Sequence, residues 1–547
     1  MESLGQHIDC SRYAVTVVAA NSNGGRGDSG KGNRTMLFNS MVFITGFLPV
    51  VLLGFVLLAG SGKHRFAAIW LTLASLVFYG WWNPAYVPLL VGSMVVNYVI
   101  GGALLRRPSR TLLVLGVAAN VALLGYYKYT GFLFGTLDDA FGLGWSVGDI
   151  LLPLAISFFT FQQIAYLVDA HDGEVSEHDF VNYCLFITFF PQLIAGPITH
   201  HGEMLRQFND HGTFRPRLDN ISLGLTVFLL GLFKKVIIAD PLGAEASPIF
   251  AVAADGTVPA LYDAWFGALN YTLQIYFDFS GYSDMAIGLG LLFGLRLPVN
   301  FNSPFKAHNL IDYWSRWHMT LTRFLTAYIY NPIVIRITRS RMAAGKPMPR
   351  RGKMSLGTFV VLVAYPTVLT MFISGVWHGA GWQFVVFGLL HGFYLVVAHG
   401  FRAWKARRGL PLDSNKLWHH CGAVLLTFLC VVVAMVFFRA ESVSAALAIL
   451  SGMVGLSELN TKFDKSDYLT VALLLAFVWF MPNVQQWMAR FRTALDAHPD
   501  ESWLLRWLPV ASWSPTPVIG VAIGVLGFFA LAVAFSVAPT EFLYFQF

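Results

Sequence analysis

Apolar runs long enough to cross a lipid bilayer recur along nearly the whole chain, and they restrict its possible folds more than any other feature. A crossing helix needs about 20 apolar residues, and inside a bilayer only helices and closed barrels satisfy their own backbone hydrogen bonds. The sequence therefore predicts an all-α polytopic membrane protein with roughly 10–13 crossings, some of them re-entrant or broken where Gly and Pro interrupt the runs. The predicted spans lie near residues 41–60, 66–82, 85–105, 111–130, 150–168, 181–199, 219–239, 260–277, 281–297, 356–374, 381–400, 417–438, 466–482 and 515–537.

Charged residues are scarce and lie mainly between the apolar runs. They make up 12% of the chain, about half the fraction typical of soluble domains. The net charge of +7 comes largely from short basic loops such as Arg106, Arg107 and Arg110, which the positive-inside rule assigns to the cytoplasm. The charge therefore indicates membrane orientation and membrane lipids as partners, and it does not point to nucleic acid. The four cysteines lack disulfide or metal-ligand spacing, so no metal site is expected.

The first 35 residues differ from the rest of the chain. They are polar and glycine-rich, and they offer no apolar surface to bury. We predict a disordered extension or a mis-assigned start for 1–35, because Met36 leads directly into the first apolar run. Residues 36–547 are predicted to form one membrane domain.

His378 is the candidate catalytic residue with the strongest sequence signal. It lies in the stretch Trp377-His378-Gly379-Ala380-Gly381-Trp382, beside an apolar run. An ionisable residue at such a depth usually marks a functional site, and histidine takes and returns protons near neutral pH. A neutral His378 could remove the proton of a hydroxyl that attacks a thioester. The alternative is a core histidine satisfied by a neighbour.

A second histidine, His318, follows the aromatic stretch Trp314-Ser315-Arg316-Trp317. The segment from Asp312 to Tyr330 is predicted to be an amphipathic helix near the cytoplasmic interface. His318 would then lie nearer the cytoplasm than His378, and the different depths predict a tunnel or funnel. The alternative is an interfacial histidine tied to a carbonyl or to Asp312. Arg316 and Arg323 either bind the phosphates of an anionic donor or extend to lipid headgroups.

Other residues are assigned to the same cavity or to its support. Asp278 and Asp284 stand in an apolar stretch, where they are predicted to anchor a broken helix and to orient a histidine or arginine; a paired-carboxylate hydrolase is the less favoured reading. The predicted donor-binding or pore-lining residues are Trp314, Arg316, Trp317, Arg323, Asp278, Asp284, Ser374, Trp377, Trp382 and His391.

Several long, separated motifs together resemble the membrane-bound O-acyltransferase (MBOAT) family, particularly the branch containing the membrane subunit of bacterial alginate O-acetyltransferase. The resemblance runs from Met36 to the C-terminus. The motifs that carry it are Gln274–Asp284, Asn300–Phe305, Trp314–Phe324 and Trp377–Trp382.

The resemblance implies a helical bundle around a central pore, in the bacterial inner membrane. His378 matches the family's invariant catalytic histidine, and His318 matches its second histidine. The implied reaction moves acetyl from a cytoplasmic donor, acetyl-CoA, with no tightly bound cofactor. The acetyl group then passes to a periplasmic SGNH-like O-acetyltransferase that modifies an exopolysaccharide, as in alginate biosynthesis.

Three other functions remain open at this point. A D-alanyl transferase fed by a carrier protein shares both histidine motifs. A polysaccharide or lipid transporter without chemistry of its own would tolerate His378→Ala. A lipid or sterol acyltransferase would yield labelled lipid.

Overall fold

A computed structural model of the chain describes residues 36–145, 148, 150–175, 177–210, 212–346, 354–411, 416–495 and 512–543. Within these ranges every regular element is a helix. The predicted extension 1–35 lies outside the described residues. The principal helices are α1 (Val42–Gly60), α2 (His64–Trp82), α3 (Pro84–Arg106), α4 (Arg110–Phe141), α5 (Ile156–Asp172), α6 (Phe180–Thr188), α7 (His201–Asn209), α8 (Leu218–Ala254), α9 (Leu261–Leu292), α10 (Leu310–Trp314), α11 (Met319–Leu325), α12 (Asn331–Ala343), α13 (Leu356–His378), α14 (Trp382–Arg407), α15 (Leu417–Arg439), α16 (Val443–Met453), α17 (Lys465–Phe480) and α18 (Pro517–Ser536).

The helices confirm the all-α polytopic class. Among the described residues, eight helices are long and apolar enough to cross a membrane: α1, α3, α4, α8, α13, α14, α15 and α18. Helices α2 and α9 are long enough, with 19 and 32 residues, but they do not meet the requirements for apolar composition. The predicted range of crossings therefore stays a prediction.

Helix α9 runs through the interior, with 27 of its 32 residues buried. It packs along α8, and glycines bring the two backbones close together. A Cβ atom at Gly231 would lie 2.5 Å from the carbonyl oxygen of Gly281, a separation that only glycine permits. The predicted break near Asp278–Asp284 is wrong, because α9 continues uninterrupted through both residues.

Ion pairs explain why α9 does not need to open at its two carboxylates. Lys235 Nζ lies 2.6 Å from Asp278 Oδ1, and Lys234 Nζ lies 2.6 Å from Asp284 Oδ2. Both lysines belong to α8, so each acidic side chain has a cation on the neighbouring helix. The two carboxylates thus anchor the α8–α9 pair through lysines, rather than a histidine or arginine.

Helices α13 and α14 form an antiparallel hairpin joined by only three residues, 379–381. Their close approach again depends on glycine: a Cβ atom at Gly375 would lie 2.4 Å from the Phe384 carbonyl oxygen, and one at Gly388 would lie 2.4 Å from the Met371 carbonyl oxygen. The hairpin places His378 at the last helical position before the turn.

The predicted single helix over Asp312–Tyr330 is wrong. Helix α10 ends at Trp314 and α11 begins at Met319. Tertiary hydrogen bonds interrupt the helix: Met319 N–H donates to the Asn300 carbonyl (2.9 Å), and Asn302 N–H donates to the Arg316 carbonyl (2.9 Å). Because the chain pairs with residues 300–302 here, His318 adopts a left-handed backbone conformation with φ +43°.

Candidate active site

His378 lies in an aromatic enclosure at the end of α13. It is buried, and its ring centroid lies 5.0 Å from Trp377, 5.8 Å from Phe387 and 5.1 Å from Phe438. Phe387 comes from α14 and Phe438 from α15, so three helices enclose the imidazole. Apolar walls of this kind exclude water and strengthen electrostatic interactions within the site.

His318 is completely buried and is held by its ring. Its Nδ1 lies 3.0 Å from Asn300 Oδ1, which also accepts hydrogen bonds from the Thr320 hydroxyl (2.9 Å) and the Thr320 N–H (3.3 Å). The Asn300 amide nitrogen donates to Ser283 Oγ at 3.3 Å. Since Asn300 Oδ1 can only accept, His318 donates from Nδ1, and its neutral ring carries a lone pair on Nε2.

The rings of the two candidate catalytic histidines both lie beside one indole, that of Trp377. The Trp377 ring centroid is 5.0 Å from that of His378 and 6.3 Å from that of His318. Trp377 also stacks on Phe161 of α5 at 5.0 Å and 15°. Folding of the 300–319 segment therefore brings His318 to the same site as His378, while the different depths of the two histidines in a membrane stay a prediction.

His391 is the third buried histidine of this region. The Trp314 indole N–H donates to His391 Nδ1 at 3.3 Å. Because an indole can only donate, the proton of the neutral His391 ring is on Nε2. Within the described part of the chain, Nε2 has no hydrogen-bond partner. Ser374 is also buried. It lies four residues before His378 on α13, so the side chains of Ser374 and His378 lie on one face of that helix.

Two predicted phosphate-binding arginines are engaged in ion pairs. Arg316 Nε lies 2.7 Å from Asp312 Oδ1, and Arg323 contacts both carboxylate oxygens of Glu203 at 2.6 and 3.0 Å. Burial by itself would raise the pKa of Asp312, but hydrogen bonds from His308 and Arg316 outweigh it and lower that pKa to about 2. Asp312 is thus ionised at neutral pH and pairs with Arg316 rather than with His318.

Trp317 and Trp382 differ in their placement. Trp317 is buried against Phe301 at 5.0 Å. Trp382 is 54% exposed and packs on Phe132 at 5.7 Å. Trp382 is therefore not part of the buried aromatic enclosure around His378, because the first turn of α14 leaves it exposed. Asp278 and Asp284 form the ion pairs with the two lysines of α8 that are described above.

A separate cluster could supply ligand atoms to a metal ion: one atom each of Asp169, His200 and His201 lies within 4.8 Å of the others. Gly202 N–H, however, donates to His200 Nδ1 (3.2 Å), which leaves the ring proton on Nε2, 2.9 Å from Asp169 Oδ2. A protonated Nε2 donates and does not coordinate, so hydrogen bonding explains the cluster better than a metal does. Burial lowers the pKa of His201 to about 4.

Comparisons with known proteins show to which family this chain belongs. The sequence pattern of "MBOAT, membrane-bound O-acyltransferase family" matches residues 171–344. A "Peptidoglycan O-acetyltransferase" of Helicobacter pylori is 42% identical over 453 residues, covering 77% of this chain and 80% of the relative. A "Probable alginate O-acetylase AlgI" of Pseudomonas aeruginosa is 37% identical over 462 residues, covering 81% of each. The chain belongs to the membrane-bound O-acyltransferase family.

A more distant relative comes from another branch. The "Teichoic acid D-alanyltransferase" of Bacillus subtilis is 28% identical over 282 residues, covering 50% of this chain and 65% of the relative. The protein is accordingly an acyltransferase and a multi-pass membrane protein. The family segment 171–344 includes His318, while His378 lies beyond it.

The structure adds three residues of this membrane-bound O-acyltransferase that the sequence analysis did not assign to the site. Asn300 fixes the ring of His318. Lys128 and Tyr129 contact the backbone at His378. Lys128 had a usable signal, since it is a basic residue inside an apolar span. Asn300 begins the motif Asn300–Phe305, but the motif does not reveal which remote side chain Asn300 contacts.

Proposed function

We propose that the protein is an acetyltransferase of a bacterial inner membrane that takes acetyl from acetyl-CoA on the cytoplasmic side. The acetyl group passes to a periplasmic SGNH-like O-acetyltransferase, which modifies a cell-envelope polysaccharide. The observation that carries this proposal is a buried cluster of three histidines in a chain of the acyltransferase family. His378 and His318 lie beside Trp377, and His391 accepts a hydrogen bond from Trp314. Such a water-excluding site suits transfer to a hydroxyl over hydrolysis.

In the proposed reaction, His378 is the general base. The acceptor hydroxyl attacks the thioester carbonyl carbon while His378 takes the hydroxyl proton. The carbon–sulfur bond then breaks, and His378 returns the proton to the departing thiolate, so that an ester and free CoA are formed. His391, with its proton on Nε2, is the candidate donor to the carbonyl oxygen as negative charge develops there.

Basic residues at the cytoplasmic side are the proposed binding groups for the donor's phosphates. Arg316 and Arg323 are paired with carboxylates, whereas Arg336 and Arg339 are exposed on α12. Guanidinium groups bind phosphates in a bidentate manner. His318, directly before α11, is proposed to line the donor end of the site.

The named relatives support acetyl over D-alanyl transfer. Those named for O-acetyl transfer match about four-fifths of the chain at 37–42% identity, whereas the D-alanyl relative matches half of it at 28%. The names of these relatives include both peptidoglycan and alginate, so the proposed acceptor is the shared class, an envelope polysaccharide.

Donor competition tests the proposal. Purified protein in nanodiscs would be mixed with acceptor membranes from a strain lacking this gene, and supplied with radiolabelled acetyl-CoA or with a D-alanyl carrier protein. We expect polysaccharide label from acetyl-CoA, and none with His378→Ala. Label from the carrier protein alone would instead assign D-alanyl transfer, labelled lipid would assign a lipid acyltransferase, and full activity of His378→Ala would remove that residue from the chemistry.

A further inference from the structure

Lys128 contacts the backbone at the end of the helix that carries His378. It lies within the apolar helix α4, and its Nζ donates to the Trp377 carbonyl at 2.5 Å and to the His378 carbonyl at 3.3 Å. A third contact, at 3.4 Å, reaches Ser157 Oγ. The neighbouring Tyr129 hydroxyl donates to the Val376 carbonyl at 2.7 Å.

These contacts satisfy groups that a helix cannot satisfy by itself. The last four carbonyls of a helix lack intrahelical donors, and the negative end of the helix dipole favours a cation. Three consecutive carbonyls at the end of α13, those of residues 376–378, receive their hydrogen bonds from α4. Gly379 is extended (φ −166°, ψ 158°), so the helix stops abruptly at His378 and depends on these remote donors.

The hydrogen-bond partners of Lys128 indicate a supporting role at the helix end rather than direct contact with a substrate. A lysine Nζ has at most three N–H donors, and the three neutral oxygens of Trp377, His378 and Ser157 account for all of them. Within the described ranges no carboxylate forms an ion pair with Lys128. Its N–H donors are therefore directed at the helix end, and none is left to bind a substrate.

The local shape of α4 agrees with this role. Residues Gly125–Tyr129 form a wide helical turn, a feature that occurs frequently at functional sites. The turn presents both Lys128 and Tyr129 to the same helix end. An isolated interior lysine in a membrane span is otherwise costly to retain.

We propose that Lys128 is a positioning residue for His378: it holds the terminal turn of α13 so that the imidazole keeps its reactive orientation. Tyr129 assists through the preceding carbonyl. The proposal rests on the proposed function only in taking His378 as the base.

Steady-state kinetics of the full-length protein in nanodiscs test it. Lys128→Met keeps the length and apolar stem but removes the donors. Because a displacement of about 1 Å can slow a reaction about 100-fold, we expect kcat to fall by about 10- to 100-fold, while KM for acetyl-CoA stays within about twofold. Lys128→Arg should recover part of kcat, and Tyr129→Phe, the matched control that leaves the Lys128 donors in place, should lose less.

A wild-type kcat in Lys128→Met would overturn the proposal, as would a loss that appears in KM. If Lys128→Met does not elute as a monodisperse protein, Lys128→Gln replaces it, with a lower kcat at unchanged KM expected and a wild-type kcat counting against the proposal. Failure of the proposed function is recognised separately, because the wild type would then not use acetyl-CoA. The same variants would be compared with the donor that the wild type does use.

Discussion

His318 and His378 contact the same tryptophan, yet the fold holds them in different ways. His318 is held by its ring nitrogen, through Asn300, at a left-handed backbone position between two short helices. His378 is held by its main chain, at the end of a long helix whose carbonyls bind Lys128 and Tyr129. The Asn300 contact defines the tautomer of the His318 ring, whereas the donors of Lys128 and Tyr129 fix the helix end from which the His378 side chain projects.

Replacing each ring separately tests this comparison most strongly. His378→Gln should lower kcat/KM by about 10²–10⁴-fold, the range attributed to a general base. His318→Asn keeps a donor near the Nδ1 position, so it should retain the Asn300 contact and remain within about tenfold of wild type. Acetyl transfer by purified protein is the measurement. An equally large loss in His318→Asn would show that His318 Nε2 takes part in the chemistry.

Removing the acceptor that holds His318 should be the next largest effect. Asn300→Ala leaves the His318 Nδ1–H and the Thr320 N–H without their buried acceptor, at a cost of about 1–3 kcal/mol for each donor. Thermal unfolding in detergent would show the loss. Thr320→Ser keeps the hydroxyl that donates to Asn300 and accepts from the Ile198 N–H at 3.0 Å, so it serves as the control with the smaller shift. Equal melting temperatures for Asn300→Ala and wild type would contradict the hydrogen-bond network.

His391 extends the comparison, because it too is held by a ring nitrogen. Trp314→Phe removes the indole donor and should reduce transfer by about three- to tenfold, since one hydrogen bond contributes about 0.5–1.5 kcal/mol. Trp317→Phe, which alters a neighbouring buried indole without this contact, is the matched control. Similar losses in both variants would attribute the effect to packing alone.

The smallest expected effect is a pH dependence of the free energy of unfolding. It comes from His201, which lies outside the candidate active site, so it concerns folding and not acyl transfer. The pKa of His201 is about 4 in the folded protein, against about 6.5 in an unfolded chain. Between these values the unfolded state binds the proton more tightly, so the free energy of unfolding falls as pH falls. From pH 7 to pH 5.5 the loss should be about 1 kcal/mol.

Melting temperatures of wild type and His201→Asn across this pH range check that expectation. The variant should have the flatter pH dependence. Parallel curves would mean that His201 is not the group that titrates.

The sequence alone was sufficient for the membrane class, the all-α fold and the family, because these depend on span length, composition and local motifs. It was also sufficient to select His378 and His318 as candidates, since aromatic and glycine neighbours are visible in the chain. It was not sufficient for the continuity of α9, because the lysines that pair with Asp278 and Asp284 come from another helix.

Only the tertiary structure decided how these residues meet. It paired Arg316 and Arg323 with carboxylates, turned Trp382 outward, and brought His318 beside Trp377. It also joined Lys128 to the carbonyl of His378 across 250 positions of sequence. Periodicity and motifs report the environment of a residue along its own helix, whereas hydrogen bonds and ion pairs depend on which helices pack together.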